Sequence, residues 1–416
     1  MRRLIEKHKE LFNESLYRNS IYLMLSSVIM AGLGFFFWTI NARLFSPHDV
    51  GLATTLISAA TLLVSISGLG LGMALIRFLP SSKRKSHKIN SCLTVALLFS
   101  IIVSTIFLLG IKVFSPGLAF VQKNLYHSIL FIVFTGSFLL FTMVESVFLA
   151  YRDAQYIVVK NTVFSIIKLV LPMLLIGFGS FGIFGSWGIA ALLAFVYSVV
   201  VLVRKFYYEP KPVIYDSIIK RIGSYSFGNY VAGFLGSAPT LLLPIIITNK
   251  LGAEMTAYYY IPMMIAGLLF VIPTAVSQSL FAEGSSNKDL KVSLRKSVKL
   301  IALLLIPAVV AVIVFGKYLL GFFGSSYSAN GYYLLLVLAV TGFFVALKSI
   351  YTSILNIKKK ILKLVLINLI ISSIIIGLTL YFLEDGLLGV GFAYLIGQSV
   401  IVLLLLLFRN WWSHKV

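Results

Sequence analysis

From its amino terminus the chain separates charged segments from long apolar runs. The first 18 residues are charged throughout (Arg2, Arg3, Glu6, Lys7, Lys9, Glu10, Glu14, Arg18), with Leu4, Ile5, Leu11, Phe12 and Leu16 in rough helical register. This predicts an interfacial amphipathic helix rather than a cleavable signal. Beyond it, apolar runs long enough to cross about 30 Å of hydrocarbon recur twelve times. They lie near 19–41, 51–76, 91–114, 128–150, 158–178, 183–203, 222–248, 256–281, 297–315, 331–355, 361–382 and 386–408. A short glycine-rich stretch parts 158–178 from 183–203, so eleven spans is the rival count. The predicted fold is an all-α integral membrane protein of about 12 transmembrane helices.

Composition excludes a soluble fold. The 416 residues are 59% hydrophobic and only 12% charged, against about 25% charged in ordinary globular chains. The net charge of +22 comes from 35 Lys+Arg and 13 Asp+Glu, and its distribution orients the chain. The N-tail, 77–90, 151–160, 204–221, 282–299, 356–363 and the C-tail together carry 28 Lys/Arg, against 5 in the intervening segments. That bias predicts cytoplasmic termini in the cell membrane, with anionic lipids as partners and no role for nucleic acid. The outer loops hold at most about 15 residues, too few for a catalytic domain, so no enzyme is expected. One cysteine, Cys92, and five scattered histidines predict neither a disulfide nor a metal centre, and no cofactor is expected.

The second half echoes the first. Ala42-Arg43-Leu44-Phe45-Ser46-Pro47-His48-Asp49-Val50-Gly51 follows the first span, and Asn249-Lys250-Leu251-Gly252-Ala253-Glu254 follows the seventh; Arg43 pairs with Lys250 at an offset of 207. A second echo matches Gly182-Ile183-Phe184-Gly185 with Gly386-Leu387-Leu388-Gly389, at an offset of 204. Two six-helix lobes are predicted, 1–210 and 211–416, related by a pseudo-two-fold axis along the membrane normal with a site between them. Such an arrangement describes a transporter better than a membrane enzyme.

The repeated segments carry a resemblance. Ile40–Gly51 is similar to the ARxLxPxDxG segment of polysaccharide transporters in the multidrug/oligosaccharidyl-lipid/polysaccharide (MOP) superfamily. Gly68-Leu69-Gly70-Leu71-Gly72-Met73-Ala74-Leu75-Ile76-Arg77 resembles the glycine-rich end of their second span, and Val276–Phe281 and Gly386–Ala393 resemble later landmarks. Phe45 stands where the family usually has glycine, whereas Gly252 keeps it in the second half. The resemblance implies a flippase for polyprenyl-diphosphate-linked oligosaccharides of the O-antigen or capsule kind, working as a monomer alongside glycan-assembly enzymes. Lipid II flippases of the superfamily carry more spans than the twelve read here. The rival readings are a multidrug or ion-coupled exporter, a membrane glycan polymerase or ligase, and a lipid scramblase.

Ionisable side chains within spans mark pathways or pair with one another. Three are found: Glu145 in the fourth span, Lys168 in the fifth and Lys348 in the tenth. Glu145 and Lys168 either form a static pair or divide their roles, Lys168 as the cation for a diphosphate and Glu145 as an ion-coupling group. Lys348 either joins the cavity or snorkels to the cytoplasm. Arg77 ends the second span, where a guanidinium suits a phosphate. Arg43 and Lys250 are placed symmetrically at the outer rim. Gly68, Gly70 and Gly72 follow no strand, so they predict close packing or a bend rather than a nucleotide loop. Asn41, Asn161, Asn229, Gln278, Asn368 and Gln398 are expected to bond across helices or to contact sugar hydroxyls.

Overall fold

A computed structural model describes residues 15–214, 216–284, 290–358 and 360–407. The predicted interfacial helix lies almost wholly outside this range. Hydrocarbon offers no partner for backbone N–H and C=O groups, so an apolar chain closes its bonds within helices. Twelve long helices result: α1 (Ser15–Leu44), α2 (Pro47–Ser67), α3 (Lys85–Leu109), α4 (Leu125–Ala150), α5 (Gln155–Leu174), α6 (Ser180–Phe206), α7 (Asp216–Lys250), α8 (Ala253–Gly284), α9 (Leu290–Gly321), α10 (Ser325–Ile357), α11 (Ile361–Phe382) and α12 (Gly386–Leu407). The apolar stretch Ile361–Leu407, at 47 residues, is two spans. A 3-10 turn and Gly386, with φ 65°, reverse the chain between α11 and α12, which pack on each other.

The second predicted span is broken. Leu69 (φ 47°) and Gly70 (φ 72°) end α2, and a short helix, Leu71–Phe78, follows. A Cβ on Gly72 would lie 2.8 Å from Ser146 Oγ on α4, so the glycines supply both the bend and the close packing. The corner before α2 explains the Ser-Pro-His-Asp sequence. The Ser46 hydroxyl accepts from the Asp49 amide (3.1 Å) and donates to its carboxylate (2.7 Å), while Pro47 opens the helix.

The chain divides into two compact units. One holds the chain up to Phe45 together with Ala59–Tyr230, the other Ser46–Ser58 together with the chain from Val231 onward. In the first unit α5 packs between α1 and α6, and α4 between α3 and α6. The α1–α5 seam is in constant register. The Ala154 amide donates to Asn19 Oδ1 (2.9 Å), Asn161 Nδ2 to Ser26 Oγ (2.9 Å) and Ser165 Oγ to Met30 Sδ (3.2 Å), each across 135 residues. A fixed separation means parallel helices. In the second unit Asn368 Nδ2 donates to the Ala232 carbonyl (2.9 Å) and the Ser372 hydroxyl to that of Leu235, joining α11 to α7.

These seams correct the register of the second echo. Asn161 and Asn368, and Ser165 and Ser372, stand 207 apart. So do the left-handed Gly179 (φ 53°) and Gly386 (φ 65°), which open α6 and α12. A Cβ on Gly182 would lie 2.2 Å from the Leu175 carbonyl oxygen, and one on Gly389 2.0 Å from that of Phe382. Gly182 therefore matches Gly389, and the predicted offset of 204 gives way to 207, that of the Arg43–Lys250 pairing.

The segment after α6 is strapped to its own unit. Asn90 Oδ1 accepts from the Tyr208 hydroxyl (2.5 Å) and the Lys211 amide (3.2 Å), and Nδ2 donates to the Glu209 carbonyl (2.8 Å). Burial pushes the Tyr208 phenol up to about 12.

Candidate functional site

Helix α5 buries one face, formed by Ile157, Lys160, Asn161, Phe164, Ser165, Lys168 and Pro172. The spacing of three and four residues is that of an ordinary packed helix, but two of the buried side chains are lysines. They lie eight residues apart, about 12 Å along the axis.

Lys160 is fully buried and is the partner of Glu145. Its ammonium donates to a Glu145 carboxylate oxygen (3.3 Å) and to the Phe141 carbonyl (3.2 Å), and it lies 3.4 Å from the centre of the Phe141 ring. The Glu145 side chain is 37% exposed. The predicted Glu145–Lys168 pairing is therefore corrected, and the reason is depth. Glu145 lies five residues before the end of α4 and Lys160 five residues after the start of α5, so the hairpin sets them level. Lys168 lies eight residues further along. Counting 151–160 as a cytoplasmic loop concealed Lys160, although its phase with Asn161, Ser165 and Lys168 would have revealed it.

Lys168 is 8% exposed. Its ammonium lies 4.8 Å from the centre of the Phe164 ring and 5.1 Å from that of Phe37 on α1. Among the described residues no carboxylate or hydrogen-bond acceptor reaches it. Further rings extend these surroundings: Phe141 lies tilted against Phe164 (4.7 Å between centroids) and Phe138 against Trp187 (4.2 Å). Two desolvated cation–π contacts contribute about 2 kcal/mol each. The arrangement is a buried lysine in an aromatic setting with no carboxylate beside it among the described residues.

The remaining candidates are more peripheral. Arg43 and Lys250 are exposed in the last turns of α1 and α7, where a cation meets the negative end of the helix dipole. Arg77 is exposed near the end of the short helix, 5.5 Å over the Phe78 ring. Lys348 is half-buried on α10, in the second unit. Asn161 and Asn368 bond across helices, as expected, whereas Asn41 and Asn161 each keep a buried Oδ1 without a partner, as does the Oε1 of Gln398. Gln278 is exposed, and the side chain of Asn229 lies outside the described residues. Among the described residues no three His, Cys, Asp or Glu side chains come together as a metal site.

A family profile described as polysaccharide biosynthesis protein matches residues 16–285. A Shigella flexneri protein named as an O-antigen transporter is 32% identical over 109 residues, a stretch covering 25% of this chain and 26% of that one. The lipid II flippase MurJ, in an inward closed conformation, superposes with a TM-score of 0.74 at 16% identity, over 94% of this chain and 87% of that one. An inward-facing multidrug resistance transporter of the MATE family and MOP superfamily gives 0.69 at 16%, over 95% and 98%. A Pyrococcus furiosus MOP transporter, described by a reversed polarity of its binding pocket, gives 0.61 at 15%, over 96% and 95%. These likenesses establish the MOP fold.

Proposed function

The chain belongs to the polysaccharide biosynthesis protein family, and from that premise we propose that it is a flippase for polyprenyl-diphosphate-linked oligosaccharide. Family and fold both support a transporter. In this reading the diphosphate enters from the cytoplasm and is neutralised by Lys168, while the lipid tail stays in the bilayer. The protein then alternates access and releases the headgroup outside. The cycle is non-covalent, and its purpose is physical: sugar hydroxyls and a diphosphate cannot cross hydrocarbon unaided at any useful rate.

The observation that carries this reading is the buried Lys168 without a counter-ion. An exporter of organic cations needs acidic groups, and Glu145, the acid within the first unit's buried seam, is already engaged by Lys160. Arg77, Arg43, Lys250 and Lys348 serve in this proposal as outer or secondary cationic contacts along the route.

The test is translocation of a polyprenyl-diphosphate-linked oligosaccharide in proteoliposomes, with wild type set against Lys168→Met. Methionine keeps the length and apolar bulk and removes the charge. The variant is expected to fold at least as stably, because an uncompensated buried cation is gone. Flipping is expected to fall about tenfold or more, the loss of one charge-assisted contact. Wild-type flipping by Lys168→Met would overturn the assignment of Lys168. A well-folded wild type that exports cationic compounds and flips no lipid-linked glycan would move the protein to the exporter reading.

A further inference from the structure

We propose that Lys160 is a second phosphate-binding residue, and that Glu145 is the resident anion that a substrate phosphate displaces. The inference rests on the flippase reading and names what offsets the Lys160 charge between substrates.

The argument begins with what surrounds the Lys160 ammonium. One side is closed by the Phe141 carbonyl at 3.2 Å and another by the Phe141 ring at 3.4 Å. Both belong to a helix packed in the core and cannot leave. The third side is the Glu145 carboxylate, whose side chain is 37% exposed while that of Lys160 is wholly buried. The way to the ammonium therefore runs through the position that the carboxylate holds. The contact is 3.3 Å, against the 2.7–2.9 Å usual for charge-assisted N–H···O bonds. Among the described residues Lys160 is the one charged group that pairs with Glu145; the short helix, α3 and α6, which also pack on α4, contribute no ion pair to it.

A buried ammonium left without an anion is costly. When no substrate is bound Glu145 supplies it. When a diphosphate arrives, a phosphoryl oxygen takes the place of the carboxylate oxygen and Glu145 turns to water. Charge is conserved, no covalent bond changes and no proton moves. Lys160 shares its buried helix face with Lys168, so the two cations form successive stations along one route.

The repeat argues against a scaffolding role. At the offset of 207, Glu145 corresponds to Thr352 and Lys160 to Ile367. The second unit builds the same helix pair, α10 and α11, without this charge pair.

The test uses full-length protein in a neutral detergent and farnesyl diphosphate as the probe, with affinity measured by titration calorimetry. Glu145→Gln keeps the shape and removes the competing charge, so it is expected to bind about tenfold tighter. Lys160→Met is expected to bind about tenfold weaker, and Glu145→Gln/Lys160→Met to match Lys160→Met. A structural ion pair predicts the opposite sign: Glu145→Gln would bind no tighter than wild type, and that result overturns the proposal. If Glu145→Gln is not monodisperse, unchanged affinity in Lys160→Met overturns it instead. Displacement of the probe by phosphatidylglycerol at equal concentration would reassign the station to a lipid headgroup and overturn it as a substrate site. Wild type that binds no farnesyl diphosphate would remove the flippase reading itself, an outcome distinct from binding with the wrong sign in Glu145→Gln.

Discussion

Gly51→Ala tests whether the family-like corner after α1 is a structural joint. An ideal Cβ on Gly51 would lie 1.7 Å from the Ala253 carbonyl oxygen and 2.5 Å from its carbon. Carbon–oxygen contacts settle near 3.3 Å or more, so α8 must retreat by about 1.6 Å. Ala253 opens α8, and the residue before it, Gly252, holds φ 96° at the turn from α7. Thr248 of α7 is hydrogen-bonded to Thr55 of α2 (2.5 Å) and to Thr256 of α8 (2.6 Å), so a retreat of α8 strains the second contact. Overpacking costs about 1–3 kcal/mol and one weakened hydroxyl bond about 1 kcal/mol. Alanine returns about 1 kcal/mol of helix propensity, leaving a net loss of about 1–3 kcal/mol. The control is Gly34→Ala on α1, where a Cβ meets nothing within 4 Å; there the propensity gain stands alone. Thermal unfolding of the purified protein in detergent, followed by tryptophan emission, should show Gly51→Ala melting well below wild type and Gly34→Ala at or above it. A Gly51→Ala protein that melts with wild type would refute the reasoning, because the contact would then be loose enough to absorb a methyl group.

Two further predictions concern the strap behind α6. Asn90→Ala removes an acceptor for the Tyr208 hydroxyl and the Lys211 amide and a donor to the Glu209 carbonyl. Hydrogen exchange at Lys211 should therefore quicken about tenfold or more, with α3 itself unchanged; equal exchange in both proteins would show that the strap is held by something else. The strap also has a pH limit. The Tyr208 phenol ionises near 10 when free, and burial pushes it up to about 12 in place. A folded value above the unfolded one gives a contribution that is full below pH 10 and lost as pH rises to about 12. The absorbance of tyrosinate, compared between wild type and Tyr208→Phe, should place this ionisation above that of free tyrosine.

The twelve spans were legible because a bilayer admits few solutions: an apolar run of sufficient length must become a helix. The helix ends were less legible. α3 begins at Lys85, where hydropathy begins the span near 91, because helices continue through the charged interface once hydrocarbon ends. The break at Leu69–Gly70 depends on backbone angles that a run of glycines permits without requiring. Lys160 was missed for a related reason. Its charge reads as a loop residue on a hydropathy count, yet its phase on α5 is that of the buried Asn161 and Ser165. The pairing of Glu145 then follows from depth on two antiparallel helices, which needs their true ends.

The repeat separates what the fold needs from what one half adds. Two halves with the same helix order must solve the same packing problems, and they do so with the same residues. Asn161 and Asn368 tie the seams, and Gly179 and Gly386 turn the chain. Gly182 and Gly389 let a helix pass under a carbonyl. Had the buried charges been part of that solution, they would recur as well. At the same offset Glu145, Lys160 and Lys168 meet Thr352, Ile367 and Ile375, while Lys348 meets Phe141. A buried charge is costly to hold and contributes little to stability that an apolar residue of similar volume would not. The second half shows that such apolar replacements occur at Lys160 and Lys168 within the same architecture, with Ile367 and Ile375 fully buried. The lysines of α5 are thus an addition to the fold, and they are the part of it on which the proposed diphosphate contacts rest.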